Sequence, residues 1–155
     1  MNTQTHWQLV SFEIIVAVAL TFGFASFAHA AAELPEFDAD NFSNPAVIEN
    51  PWFSLPIGKE MEFEGETEDG FEHIEIEITG DTKMVNGIET LVYRDIVWVD
   101  GEVVEDTHDY LAQDDDGNVW YLGEDVDNYE DGEIVDHDGS WLAGVDGALP
   151  GYWMK

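Results

Sequence analysis

From Lys59 onward the chain alternates apolar and charged residues with a period of two, and Asp-Gly or Asn-Gly steps break the pattern at short intervals. In KEMEFEGE, Met61 and Phe63 alternate with Glu60, Glu62, Glu64 and Glu66. In FEHIEIEI, Ile74, Ile76 and Ile78 point one way, and His73, Glu75 and Glu77 the other. That period belongs to a strand with one buried face, because successive side chains leave a strand on opposite sides. Turn signals follow at Asp69-Gly70, Thr79-Gly80-Asp81, Asn86-Gly87, Asp100-Gly101, Asp116-Gly117 and Asp131-Gly132. Asn and Asp followed by Gly tolerate the positive φ angles of tight hairpins. No helical period occurs after residue 40. These signs predict an all-β fold, an antiparallel meander curving into a half-barrel or barrel-like sheet. Residues 88–99, IETLVYRDIVWV, are apolar on both faces and predict a central strand covered on both sides. The last stretch, GVDGALPGYWMK, reads as apolar loop.

A length of 155 residues allows one domain. Residues 1–30 read as a signal peptide. Residues 14–28 are almost wholly apolar, short of the ~20 residues of a membrane span, and Ala28-His29-Ala30 supplies small residues for cleavage after Ala30. The leader departs from the usual pattern in having no Lys or Arg before its apolar run and in carrying Glu13 at its edge. Residues 31–58 form an acidic linker (31–41) and a Pro-rich lead-in. There Asn44-Pro45, Asn50-Pro51 and Pro56 prevent regular structure. Phe42, Ile48, Trp52, Phe53 and Leu55 would still seek burial, so the lead-in is expected to pack over one edge or mouth of the sheet. Residues 59–155 are the β-meander. The chain has no cysteine, which excludes disulfides, thiolate metal sites and a Cys nucleophile.

The charge narrows the environment. Asp and Glu number 35 against 4 Lys and Arg, a net charge of −31. Such a surface repels nucleic acid and anionic membranes. With 13% aromatic and 45% hydrophobic residues the chain is too apolar for disorder. The acids are spread along its whole length, which fits salt adaptation better than a single calcium site. Together with the leader, this places the protein in the periplasm or outside the cell.

Two-residue turns at Asp100-Gly101 and Asp116-Gly117 would set the register of the central strands. Arg94, the only arginine, then lies opposite Thr107, with Glu105 and Asp109 diagonal to it and Asp109 opposite Glu124. Trp120 shares that face. Three carboxylates around one guanidinium mark either a ligand pocket or a structural ion-pair cluster. On the other face Asp95 would oppose Asp106 and His108 would oppose Asp125. This is a candidate site for calcium or another divalent cation, or else a solvated acidic face. The turn Asp114-Asp115-Asp116-Gly117-Asn118 resembles a calcium loop poorly, since the flanking positions hold Ala112 and Gly123, and a plain hairpin turn fits better. Gly139-Ser140-Trp141 is no nucleophile elbow, and no HExxH or phosphate-loop spacing occurs. A carboxylate pair for glycoside hydrolysis stays open.

NPAVIENPWFSLPIG, RDIVWVDGEVVEDTHDYLAQDDDGNVWYLGED and GSWLAGVDGALPG resemble a family of exported, β-rich bacterial proteins, also seen in halophiles, with an NPxxxxNPWFxL lead-in and a DxxAQDxDGNVWYxGE hairpin. The family usually has Trp-Tyr where this chain has Tyr110-Leu111. The resemblance implies that the chain is truncated at its C-terminus. It supports the boundaries and implies no chemistry, because no activity attaches to the family.

The sequence therefore points to a non-enzymatic binding or envelope-associated module. Its expected binding residues are Arg94, Glu105, Asp109, Glu124 and Trp120, and its expected partner a small molecule, glycan or envelope component, with no cofactor. The alternatives are a metal site on Asp95, Asp106, His108 and Asp125, and a hydrolase using two carboxylates.

Overall fold

The computed structural model describes residues 35–155, so the expected leader at 1–30 and the start of the linker lie outside the described residues. A 3-10 turn (Ala39–Asn41) precedes eleven strands. These are β1 (Glu49–Asn50), β2 (Phe53–Ser54), β3 (Glu60–Glu66), β4 (Phe71–Glu77), β5 (Thr82–Val85), β6 (Ile88–Val99), β7 (Glu102–Gln113), β8 (Val119–Glu130), β9 (Glu133–Asp136), β10 (Trp141–Leu142) and β11 (Gly151–Met154). No α-helix forms among the described residues. β1 and β2 make a small hairpin, and the other nine strands form one antiparallel sheet. Its path runs β3–β4–β6–β7–β8–β10; β5 also pairs with β6, and β9 and β11 with β8. The sheet stays open, with no described strand joining β3 to the outer edge of β8. The final segment, read as loop, ends instead in a strand that pairs with β8.

β6 is central in the sheet, as its sequence predicts, but it is covered on both sides only over residues 88–93, and residues 94–99 are half-buried. One side, with Leu91 and Tyr93, packs with Ile48, Leu55, Ile76, Ile78, Leu111 and Val119. The other, with Ile88 and Val92, packs with Val85, Tyr110, Ala112, Trp120, Leu122 and Ala143. Leu111, Leu122 and Val119 are fully buried, and each such side chain contributes roughly 2 kcal/mol.

The hairpins follow their turn chemistry. Asn86-Gly87, Asp100-Gly101 and Asp131-Gly132 all have positive φ at both residues, the conformation that matches strand twist. The β7–β8 connection differs. It is a five-residue loop, 114–118, in place of the expected two-residue turn. Further along β8 a bulge restores the register, and Gly123 is required there. Its φ is 143°, and a Cβ would run into the Trp141 carbonyl oxygen.

The lead-in does more than cover an edge. It winds around the tip of the β7–β8 hairpin and touches both faces of the sheet. Phe37 and Phe42 pack on Trp120, with Phe37 edge-on at 5.2 Å, whereas Ile48 and Leu55 join the opposite cluster. Residues 35–41, expected as linker, are therefore partly packed. Trp52, expected to be buried, is 83% exposed at the tip of the β1–β2 hairpin.

Several like-charged residues stand directly opposite one another: Glu60 and Glu77, Glu62 and Glu75, Asp106 and Asp127. Such pairs destabilise a sheet unless their charge is screened. Raising KCl from 0.15 to 2 M should increase the unfolding midpoint by about 10 °C. Calorimetric midpoints flat across that range would refute salt adaptation.

Candidate functional site

The polar residues of the central strands fall into two groups on opposite faces, and the sorting differs from the one the sequence predicts. At the Asp100-Gly101 turn the expected register holds, with Val99 opposite Glu102 and Trp98 opposite Val103. One extra residue on β7, Val104, then forms a bulge. Beyond it Arg94 pairs with His108 and Asp95 with Thr107. A one-residue slip moves a strand's side chains to the other face. Arg94 and Asp95 have thus exchanged groups.

On the first face Arg94 meets Asp106, not Glu105, Asp109 or Glu124. Its Nε and Nη2 donate to the two oxygens of Asp106 at 2.9 and 2.6 Å. This fork-on-fork pair is the strongest geometry open to a guanidinium, and the hydrogen bonds to Asp106 raise the arginine pKa further. The Arg94 side chain is 33% exposed. Two of its five N–H donors go to Asp106, and the other three have no hydrogen-bond partner among the described residues. Arg94 lines a hollow of about 400 Å³ together with Ile96, Trp98, Glu102, Val103, Asp106 and Tyr129. A second hollow of about 500 Å³ shares Trp98 and Gly101 with it and extends to Phe71, His73 and Glu75. The His73 ring lies 5.2 Å from that of Trp98. Trp98 therefore borders both hollows.

Farther along this face Lys83 and the Tyr110 hydroxyl both donate to Asp125 Oδ2, each at 2.5 Å. Burial pushes the Asp125 carboxyl up, but these two donors outweigh it and hold the group below the ordinary carboxylate range. Burial and the bond to Asp125 raise the Tyr110 phenol. His108 lies opposite Asp125, as expected. The proposed metal set nevertheless comes apart. Asp95 is on the other face, Asp106 is taken by Arg94, and Asp125 by Lys83 and Tyr110. Among the described residues no three His, Asp or Glu side chains converge as metal ligands.

The opposite face holds the four carboxyls of Asp95, Glu105, Asp109 and Glu124, and among the described residues none of them is in a salt bridge. Asp109 faces Glu124 across the β7–β8 pair, as predicted. Asp109 is 4% exposed and accepts from the Tyr121 hydroxyl at 2.6 Å. Glu105 accepts from Thr107 Oγ1 at 2.9 Å, and Glu124 from Trp141 Nε1 at 3.1 Å. Asp95 Oδ1 is buried without a partner. Burial, and then the neighbouring carboxylates Glu105 and Glu124, push Asp95 up to about 6. Burial dominates at Asp109 too. The Tyr121 bond pulls its pKa down, Asp95 and Glu124 push it up, and it settles at about 7. Burial and Asp95 raise Tyr93 to about 12. Asp109 thus holds a proton near neutral pH, but none of the four carboxyls lines either hollow.

Trp120, expected to stack on a ligand, is 2% exposed and belongs to the core. Its Nε1 donates to Asp114 at 2.8 Å. The aromatic residues that flank Arg94 are Trp98 and Tyr129. Trp98 was visible in sequence as a neighbour of Arg94 on β6. Tyr129 was not, because its place beside Arg94 depends on both bulges.

No protein-family model, curated protein or solved structure matches the chain.

Proposed function

We propose that the protein is an exported, salt-adapted binding module without catalytic activity, and that the Arg94 hollow takes a neutral glycan. The observation that carries this reading is the single arginine, oriented by Asp106, with three free donors beside Trp98 and Tyr129. Asp106 neutralises the guanidinium and the protein is strongly acidic, so an anionic ligand is disfavoured. Neutral hydroxyls accept hydrogen bonds from the guanidinium without that repulsion, and a sugar ring stacks on an indole. The second hollow also borders Trp98, which suits two or more linked sugars better than a single one.

Titration calorimetry with a panel of neutral oligosaccharides tests the proposal. Trp98→Ala should weaken binding by at least about tenfold, the equivalent of one lost stacking contact of ~1.4 kcal/mol. Arg94→Lys keeps the charge but loses the fork, and should weaken binding similarly with a small change in melting temperature. Absence of binding across the panel, or binding that ignores both substitutions, would overturn the reading.

A further inference from the structure

We propose that the outer edge of β3 accepts an extended cationic polypeptide segment as an added strand. β3 ends the sheet, and no described strand pairs with its outer edge. All seven of its residues are paired with β4 on the inner side. In an antiparallel ladder that pairing uses alternate N–H and C=O groups and leaves the rest pointing outward. Every residue of the strand except Met61 is exposed.

The side chains specify the occupant. Glu60, Glu62, Glu64 and Glu66 form a row on one face, backed by Glu77 and Glu75 opposite Glu60 and Glu62. A hollow of about 280 Å³ lies among Glu60, Glu62, Glu75 and Glu77. Arg94 stands opposite Glu77 on the next strand, but its hydrogen bonds go to Asp106, and no other arginine or lysine among the described residues is paired with the row. Lys59 donates to the Ser54 carbonyl, and His73 sits 3.4 Å from Glu64 and 3.5 Å from Glu75. On the other face Met61 is partly buried and Phe63 is 55% exposed. A strand alternating Lys or Arg with apolar residues would set its cations against the glutamate row and its apolar side chains over Phe63. Its backbone would take up the free ladder groups. A second copy of this chain is the poorer occupant, because edge-to-edge pairing would bring two glutamate rows together.

The probe is a fluorescently labelled eight-residue peptide alternating Lys and Val, titrated into the full chain at 0.15 M salt and read by anisotropy. A second peptide of the same sequence, N-methylated at alternate residues, keeps the charge but cannot complete the ladder. The expected result is saturable binding, weakened at least about tenfold by N-methylation and by the double variant Glu62→Lys/Glu64→Lys. Glu130→Lys/Glu133→Lys, at the far edge of the sheet, should change it less than about twofold. Circular dichroism should confirm that both variants fold. Equal binding of the two peptides, or equal loss in the two variants, would reduce the effect to diffuse charge and overturn the proposal. No binding, or sedimentation showing that β3 is occupied by a second copy, would overturn it as well.

Discussion

Acidification from pH 8 to pH 5 is expected to raise the unfolding midpoint, the opposite of what a protein held by salt-bridged carboxylates does. The reason is the face that carries Asp95, Glu105, Asp109 and Glu124, none of them in a salt bridge among the described residues. Asp109 is nearly sealed from water, and its pKa rises from 3.8 to about 7 on folding. Between about pH 4 and pH 7 the folded state therefore holds a proton that the unfolded chain has released. Stability from this group is fully present below the unfolded pKa and declines as pH rises to the folded value. Its span is on the order of 4 kcal/mol. Asp95, raised to about 6, adds to the same trend over a narrower range. Asp125, whose pKa is lowered, works the other way and loses its contribution only below about pH 4. The optimum should lie near pH 4–5. Asp109→Asn isolates the effect, because the amide oxygen can still accept from Tyr121. It should be neutral near pH 4 and stabilising by about 4 kcal/mol, on the order of 10 °C in midpoint, at pH 8. Thermal melts of both proteins across this range decide the matter. An unchanged pH slope in the variant would show that Asp109 ionises normally.

Much of the fold is legible in the sequence because its period-two pattern and its Asn-Gly and Asp-Gly turns agree with each other. The candidate site is less so, and the reason lies in two bulges. Val103-Val104-Glu105 contains no glycine and no break in its apolar pattern, so nothing in the residue types marks the extra residue on β7. That one residue sends Arg94 to Asp106 and Asp95 to Asp109. On β8 the expected pairs Asp109–Glu124 and His108–Asp125 are present for a different reason. The five-residue loop shifts the register one way, and the bulge at Gly123 shifts it back. Gly123 could have signalled that bulge, since glycine inside a strand is rarely accidental. Trp52 shows the limit of composition. A large aromatic flanked by Asn50-Pro51 sits at a hairpin tip, where the backbone leaves it nothing to pack on.

Asp114→Ala should cost on the order of 3–5 kcal/mol, the largest effect of any single substitution in the 114–118 loop. The Asp-rich loop resembles a cation site in sequence, yet its first carboxylate is buried and fully engaged. Asp114 Oδ1 accepts from the backbone N–H groups of Asp116 and Asn118, at 3.1 and 2.8 Å. Oδ2 accepts from Asn118 Nδ2 and Trp120 Nε1, both at 2.8 Å. Removing the carboxylate leaves the buried indole N–H unpaired and releases the loop conformation. That conformation places the neighbouring acids. Asp115 accepts from the backbone and hydroxyl of Ser43, Asp116 accepts from Asn41, and Asn50 donates to the Gly117 carbonyl. The loop therefore acts as the buckle that holds the lead-in against both faces of the sheet. Asp114→Asn keeps one acceptor oxygen and should cost about 1–2 kcal/mol, whereas Asp115→Ala, at an exposed position, should have the smallest effect of the three. Urea unfolding gives the three values. Limited proteolysis separates the buckle from a mere turn, because Asp114→Ala should expose cleavage sites in residues 41–58 under conditions where the sheet itself stays intact. If the lead-in stays protected while stability falls, Asp114 serves only the hairpin, and residues 41–58 are held by their apolar side chains and their hydrogen bonds to Gln113.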